Sequence, residues 1–350
     1  MFKNKQIALF SDLHIGVHKD SPEWHNIALN FGDWFVTDLS KRNITDIIFC
    51  GDFFHTRHEI EQTTLRCGIE FLSKFKNFNI VMIPGNHCCY FKNNATVHSL
   101  EVFKSWENVT VLDVPTLVKH SDRRYMFCPW ETNTDDIQAC DVIFGHFELV
   151  NFKMNSFKVC EHGQSAEDIH EKGSKIVTGH FHLRDHRQYD NGREVLYLGA
   201  PYQMDFGERD QVKGYTIFDS ETLKFQFIEN VTSPVHIKIR LSELLDQKDK
   251  ISSLKDTVKN NIVCFIVDRA LDQDKLHKIT TMLTSMNPLQ LRVEHTVCES
   301  FIDREQEHEI VGVDIQGAIH EFVDSMTVDV SKEEILSVVQ DIYKRALIEK

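Results

Sequence analysis

The sequence predicts an α/β protein whose working residues stand at the carboxyl ends of buried strands. Three observations lead there. Five short, mostly apolar runs, at 6–10, 46–50, 79–83, 141–144 and 174–178, have the length and composition of strands enclosed in a sheet. Each run ends on polar residues: Asp12-Leu13-His14, Gly51-Asp52, Gly85-Asn86-His87, Gly145-His146 and Gly179-His180-Phe181-His182. Glycine stands at four of these five junctions, where it permits a tight turn and a close backbone approach.

In an open α/β sheet the ligand crevice lies beyond the carboxyl ends of the strands, so loops far apart in sequence meet at one place. The first run delivers Asp12 and His14, the second Asp52, the third Asn86, the fourth His146, and the fifth His180 and His182. All seven side chains are hard or borderline metal ligands. They suffice for two divalent ions if the Asp52 carboxylate bridges them. Four positive charges against two carboxylates leave a surplus that attracts a phosphate anion and acidifies a bound water. Imidazole, amide and carboxylate together suit manganese, iron or zinc better than magnesium, and manganese is the expected ion. Alone, each motif is compatible with a capped turn; their number, order and placement after strands point to a two-metal phosphoesterase.

The motif order Asp-x-His, Gly-Asp, Gly-Asn-His, Gly-His, Gly-His-x-His resembles the calcineurin-like metallophosphoesterase superfamily. Within it, Gly51-Asp52-Phe53-Phe54-His55, Tyr197-Leu198-Gly199-Ala200-Pro201 and Phe206-Gly207-Glu208 are similar to SbcD-type DNA-repair nucleases, above all the small subunit of phage recombination endonucleases. The resemblance implies a four-layer αββα sandwich over residues 1–230. It places one metal on Asp12, His14, Asp52 and His182 and the other on Asp52, Asn86, His146 and His180. His87 then acts on the scissile phosphate, with His55 its neighbour across the cleft. One position departs from the pattern: the residue after Gly-Asn-His is usually aspartate and here is Cys88, a weak partner for an imidazole. The implied function is a DNA nuclease, with exonuclease and endonuclease activity in repair and recombination. A phosphatase or small-molecule phosphodiesterase using the same metals is the competing reading.

Past residue 230 the metal motifs stop. Strand-like runs at 235–241, 262–268 and 289–297 alternate with helical periodicity at 244–258 and 272–286, giving a small α+β cap domain over 231–298. Acidic residues at 299–310 read as a linker. Residues 311–350 form a helical tail: Ile315, Ile319, Phe322 and Met326 recur at helical spacing, and Ser331-Lys332-Glu333-Glu334 is a capping box opening a second amphipathic segment. So much apolar surface on a short tail implies a partner groove or coiled coil. By resemblance the partner is an SbcC-type coiled-coil ATPase. A homodimer through the early helices, at 20–45 and 60–75, is left open.

At 350 residues the chain exceeds one hydrophobic core. No run approaches the roughly 18 apolar residues of a membrane span, and the strand after Lys5 follows no signal-peptide core. The nine cysteines form no CxxC pair, against a disulfide framework or a structural zinc site. The expected location is the cytoplasm, that of the bacterial host if the chain is phage-encoded. A net charge of −14 is unfavourable for duplex binding, which draws on lysine and arginine. Local basic clusters at Arg57-His58, 119–124 and 184–193 offer limited compensation.

Overall fold

The computed structural model describes residues 2–246 and 251–296, together with Ser331, Lys332 and Leu336. By its contacts the chain divides into residues 1–296 and 297–350. The expected linker at 299–310 lies outside the described residues, as does all but those three positions of the helical segment at 311–350.

The first four strands are β1 (Gln6–Phe10), β2 (Asp46–Phe49), β3 (Asn79–Met82) and β4 (Val109–Val111). Six more follow: β5 (Thr116–His120), β6 (Arg123–Cys128), β7 (Cys140–Gly145), β8 (Gly173–Thr178), β9 (Asp185–Gln188) and β10 (Glu194–Tyr197). A hairpin of β11 (Gly214–Asp219) and β12 (Lys224–Glu229) returns to the first sheet, whose order is β12-β11-β1-β2-β3-β4. The second sheet runs β5-β6-β7-β8-β10-β9. In each, the central strands are parallel; antiparallel strands close both edges of the second sheet and the β11-β12 side of the first, whose other edge, β4, runs parallel to β3. The five expected strands are therefore β1, β2, β3, β7 and β8.

Because strand side chains alternate faces, each central strand feeds two cores. Ile7, Leu9, Ile48, Val81 and Ile83 from the first sheet meet Tyr125, Phe127, Val142, Phe144 and Val177 from the second, all buried between the sheets. The opposite face of the first sheet, with Phe10, Ile47 and Phe49, packs under the helices Pro22–Lys41 and Gln62–Ser73. Phe31, Phe35, Phe71 and Phe75 interlock there, with ring centroids 5.3–5.7 Å apart between Phe71 and Phe75 and between Phe35 and Phe75. The fourth layer, outside the second sheet, is thin. One short helix, Ala166–His170, and the loop carrying Phe147, Leu149 and Phe152 cover Ile143, Ile176 and Tyr197. This is the αββα sandwich, with one outer layer made mostly of loop.

A three-stranded parallel sheet follows, β13 (His236–Arg240), β14 (Ile262–Val267) and β15 (Gln290–His295), in that order. Helices Leu241–Asp246, Ile251–Val258 and Gln273–Ser285 lie between the strands in sequence, and Val263, Phe265, Leu283 and Met286 form its own core. Every described cysteine is an unpaired thiol.

Phe35 is fully buried and touches Phe10, Phe31, Phe75 and Tyr215. Phe35→Ala is expected to cost about 3–5 kcal/mol of unfolding free energy by leaving a cavity that this rigid aromatic cluster cannot close. Urea unfolding followed by tryptophan fluorescence measures it; a loss under about 1 kcal/mol would mean the helical layer repacks freely.

Candidate metal centre

The loops after β1 and β2 run on side by side. Asp12 donates its N–H to the Gly51 carbonyl at 2.9 Å, His14 to Asp52 at 3.0 Å and Ile15 to Phe53 at 2.9 Å. This ladder sets Asp12, His14 and Asp52 at one end of the sandwich. Holding them there requires unusual backbone: Asp12, His14, Asp52 and His180 all have positive φ, at 56°, 46°, 62° and 89°. Non-glycine residues adopt this region at a cost of order 1–2 kcal/mol each, and such strain gathers at functional sites. Two of the glycines serve a different need. A Cβ on Gly85 would stand 2.3 Å from Asp52 Oδ1, and one on Gly179 only 1.9 Å from Ser11 Oγ.

The structure brings all seven sequence-expected ligands together. Ligand atoms of Asp12, His14 and His182 lie within 4.8 Å of one another, and so do those of Asp52, His146 and His180. Between the two groups stands Asp52 Oδ2, 3.6 Å from His14 Nε2 and 3.3 Å from His146 Nε2. Asn86 Oδ1 accepts from His180 Nδ1 at 2.9 Å and lies 2.9 Å from His146 Nε2. His14 Nε2 and His182 Nε2 face each other at 3.0 Å.

Two observations test this cavity against a divalent cation. Asp12 is fully buried; its Oδ1 accepts the His180 N–H at 3.1 Å, but Oδ2 has no hydrogen-bond partner. A buried carboxylate oxygen without a partner is costly, and a cation satisfies it. The proton equilibria agree. Burial raises Asp12 above the usual carboxylate range, whereas Asp52, though burial opposes it, is held well below by His146 and His14. Burial alone would lower His146, yet the Asp52 carboxylate pushes it up to about 9. Burial lowers His180 to about 3 and His14 well below its ordinary value. The cavity thus draws positive charge to Asp52 and keeps His14 and His180 neutral, the state in which imidazoles ligate metals. The donor set fits a pair of divalent ions.

The ring orientations are fixed from outside. His146 Nδ1 donates to the Cys50 carbonyl at 2.7 Å, and His182 Nδ1 to Glu208 Oε1 at 2.9 Å, so both turn Nε2 inward. Glu208 is itself anchored by the Met204 N–H at 3.1 Å and the buried Lys213 ammonium at 2.9 Å. Metal-ligating histidines characteristically carry such carbonyl and carboxylate partners. Sequence reasoning quoted Glu208 only within a motif and missed its role; no spacing rule links positions 182 and 208. It also missed Trp130, whose ring lies 5.2 Å from that of His180 and whose Nε1 donates to the Lys92 carbonyl at 2.9 Å.

His87 and His55 sit at the mouth. Their rings stack at 5.3 Å and 21°, and His87 Nδ1 donates to the His55 carbonyl at 2.5 Å. The His87 N–H donates to Asp52 Oδ1 at 2.8 Å. Cys88 does not replace the usual aspartate: it is buried in the aromatic core, accepts the Phe53 N–H at 3.5 Å, and burial pushes its thiol up to about 11. A backbone carbonyl therefore orients His87. Beside this pair opens a cleft of about 500 Å³ lined by Gly16, Lys19, His55, Arg57 and His87; a second, of about 300 Å³, is lined by Phe157, His180, His182 and Glu208. The described cluster of His98, Glu101 and Asp113 is served by the Lys104 ammonium, 2.6 and 2.7 Å from the two carboxylates.

A calcineurin-like phosphoesterase family model matches residues 5–215. Exonuclease subunit 1 of Enterobacteria phage T4 is 29% identical over 243 residues, 65% of this chain and 68% of the phage protein. Among solved structures, a dimetal phosphatase from Danio rerio overlaps 61% of this chain and 91% of its own at 9% identity and a TM-score of 0.37. Nuclease MPE of Pseudomonas putida overlaps 63% of this chain and 87% of its own at 15% identity and a TM-score of 0.30.

Glu208→Ala is expected to cost about 3–5 kcal/mol of unfolding free energy, because it leaves the buried Lys213 ammonium without its counter-charge. The double variant Glu208→Leu/Lys213→Met should recover much of that loss in urea titrations. Equal stability of the single variant and the parent would show that the ion pair does not hold this corner.

Proposed function

This chain belongs to the calcineurin-like phosphoesterase family, and from that premise we propose that it is a metal-dependent DNA nuclease subunit with exonuclease and endonuclease activity. The observation that carries the reading is the meeting of Asp12, His14, Asp52, Asn86, His146, His180 and His182 around the unpartnered Asp12 carboxylate oxygen. Likeness to a phage exonuclease subunit supports a polynucleotide as substrate.

In this reading Asp12, His14, Asp52 and His182 hold one divalent ion, and Asp52, Asn86, His146 and His180 the other, with manganese the expected metal. Bound there, the ions supply Lewis acidity toward the phosphoryl oxygens and lower the pKa of water at the site. The protein's own contribution is orientation and proton handling. Asp52 spans the two groups and takes the His87 N–H, coupling the ligand cage to the mouth. With Nδ1 committed to the His55 carbonyl, His87 has Nε2 left for the substrate, to stabilise charge on the phosphoryl oxygens or protonate the departing sugar oxygen. His55 stacks behind it and fixes its plane.

Association is assigned to residues 311–350, on the amphipathic pattern of their sequence, with an SbcC-type coiled-coil ATPase as the partner. Among the described residues no helix is long and apolar enough to cross a membrane.

The full chain with manganese should cleave linear duplex or single-stranded DNA, lose activity in chelator and regain it on metal return. His87→Ala is expected to lower turnover roughly 10²- to 10⁴-fold while retaining both metals by mass spectrometry. Hydrolysis of a phosphomonoester without any cleavage of DNA would overturn the nuclease reading, and loss of metal from His87→Ala would make that residue a ligand. Deleting 311–350 should abolish association with the ATPase and spare cleavage; association that survives the deletion refutes the tail assignment.

A further inference from the structure

Two large aromatic side chains stand exposed at the rim of the cleft. Tyr90 and Phe91 are 47% and 45% accessible, and their rings meet edge to face at 5.0 Å and 88°. Tyr90 also meets the His58 ring at 5.4 Å. His58 and its neighbours Arg57, Thr56 and His55 line the same 500 Å³ cleft as His87, so the aromatic pair borders the mouth of the metal centre.

The loop that carries them is held in place. Tyr90 donates its N–H to the Val97 carbonyl at 2.9 Å, and a bridge between Cys89 and His98 closes its base. Trp130 Nε1 bonds the Lys92 carbonyl while the Trp130 ring lies against His180. The rings are therefore preorganised relative to the metal ligands, which lowers the entropic cost of using them. Lys19 and Arg57 line the cleft with one acid, Asp20, whose Oδ1 is engaged by the Thr64 hydroxyl at 2.5 Å. Lys92 adds a further positive charge beside Phe91.

We propose that Tyr90 and Phe91 form a base-stacking platform for an unpaired polynucleotide strand entering the metal centre, with Lys19, Arg57 and Lys92 along its backbone. This rests on the nuclease reading and specifies which form of polynucleotide reaches the site. Only unpaired bases expose the π-faces that such rings receive. A chain of net charge −14 gains little from the sequence-independent phosphate attraction that serves basic proteins, so stacking has to carry a large share of affinity. Three cationic contacts correspond to a shallow salt dependence, a slope of about −2 in log affinity against log salt for a single strand.

The test is fluorescence anisotropy of the full chain in chelator, where nothing is cut, with a fluorescein-labelled oligothymidylate and a blunt hairpin duplex. Tyr90→Leu and Phe91→Leu are each expected to weaken oligothymidylate binding about 10-fold to 100-fold, leave the weak duplex binding in place and keep the parent's unfolding midpoint, while Tyr90→Trp and Phe91→Trp restore binding. Oligothymidylate affinity within about 2-fold of the parent overturns the proposal, as does an equal loss for both probes. A change from dimer to monomer by light scattering, with oligothymidylate binding unaltered, also overturns it, making the pair a self-association face. If the unmodified chain with manganese cleaves no DNA, the nuclease reading fails separately, and the anisotropy still decides whether these rings bind a single strand.

Discussion

Burying two carboxylates in one cavity is the constraint around which this fold is arranged. Asp12 and Asp52 are 0% and 1% exposed, and an isolated buried carboxylate is too costly to remain ionised without compensation. His146 compensates Asp52 by holding a proton, and Asp12 is left with an oxygen that no hydrogen bond reaches. His14 and His180 are pushed toward neutrality by the same lack of water. A cavity that buries two carboxylates beside neutral imidazoles is unfavourable as a bare cluster and favourable around cations. Its polarity is what the phosphoesterase chemistry of the family requires.

Such a cavity survives only because the rest of the molecule is rigid. Four of the seven candidate ligands sit in left-handed backbone, and His18, Lys19 and Asp20 continue that conformation just beyond His14. At order 1–2 kcal/mol per residue, the strain is comparable to the whole net stability of an ordinary domain. Two six-stranded sheets offset it by enclosing a continuous apolar layer directly beneath the loops. Ser11, Cys50 and Thr178, at the ends of three of these strands, are fully buried and join sheet to site: the carbonyl of Cys50 accepts from both Ser11 Oγ and His146 Nδ1.

Much of this was legible in the sequence, because strand ends and ligands share one register. The five runs correspond to strands whose bounds differ by no more than one residue, since an apolar run must stop where the sheet stops. The residues that meet in the cavity were equally legible, each standing within a few positions of its strand. What sequence could not disclose depends on distance in space. Glu208 reaches His182 from 26 positions away through the fold, Trp130 reaches His180, and a carbonyl at His55 takes the place of the missing acid after His87. The left-handed backbone at the ligands was also hidden, because Asp and His carry no sequence mark of positive φ. Glycine did carry one, and at Gly85 and Gly179 it marks close approach.

The acidic surplus of the chain bears less on its chemistry than its magnitude implies. Ionic screening at physiological salt acts over about 8 Å, so a phosphate at the cleft responds to groups near it and hardly to charges across the molecule. Several distant cations are already tied down: Arg123 to Asp141, Arg187 to Asp185 and Lys175 to Glu194. Lys19 and Arg57, by contrast, line the cleft beside His55 and His87. Net charge governs long-range steering and nonspecific attraction, while local charge governs what docks. In an acidic protein with a locally cationic mouth, what docks at the centre is therefore set by the groups that line the cleft and hardly by the overall charge.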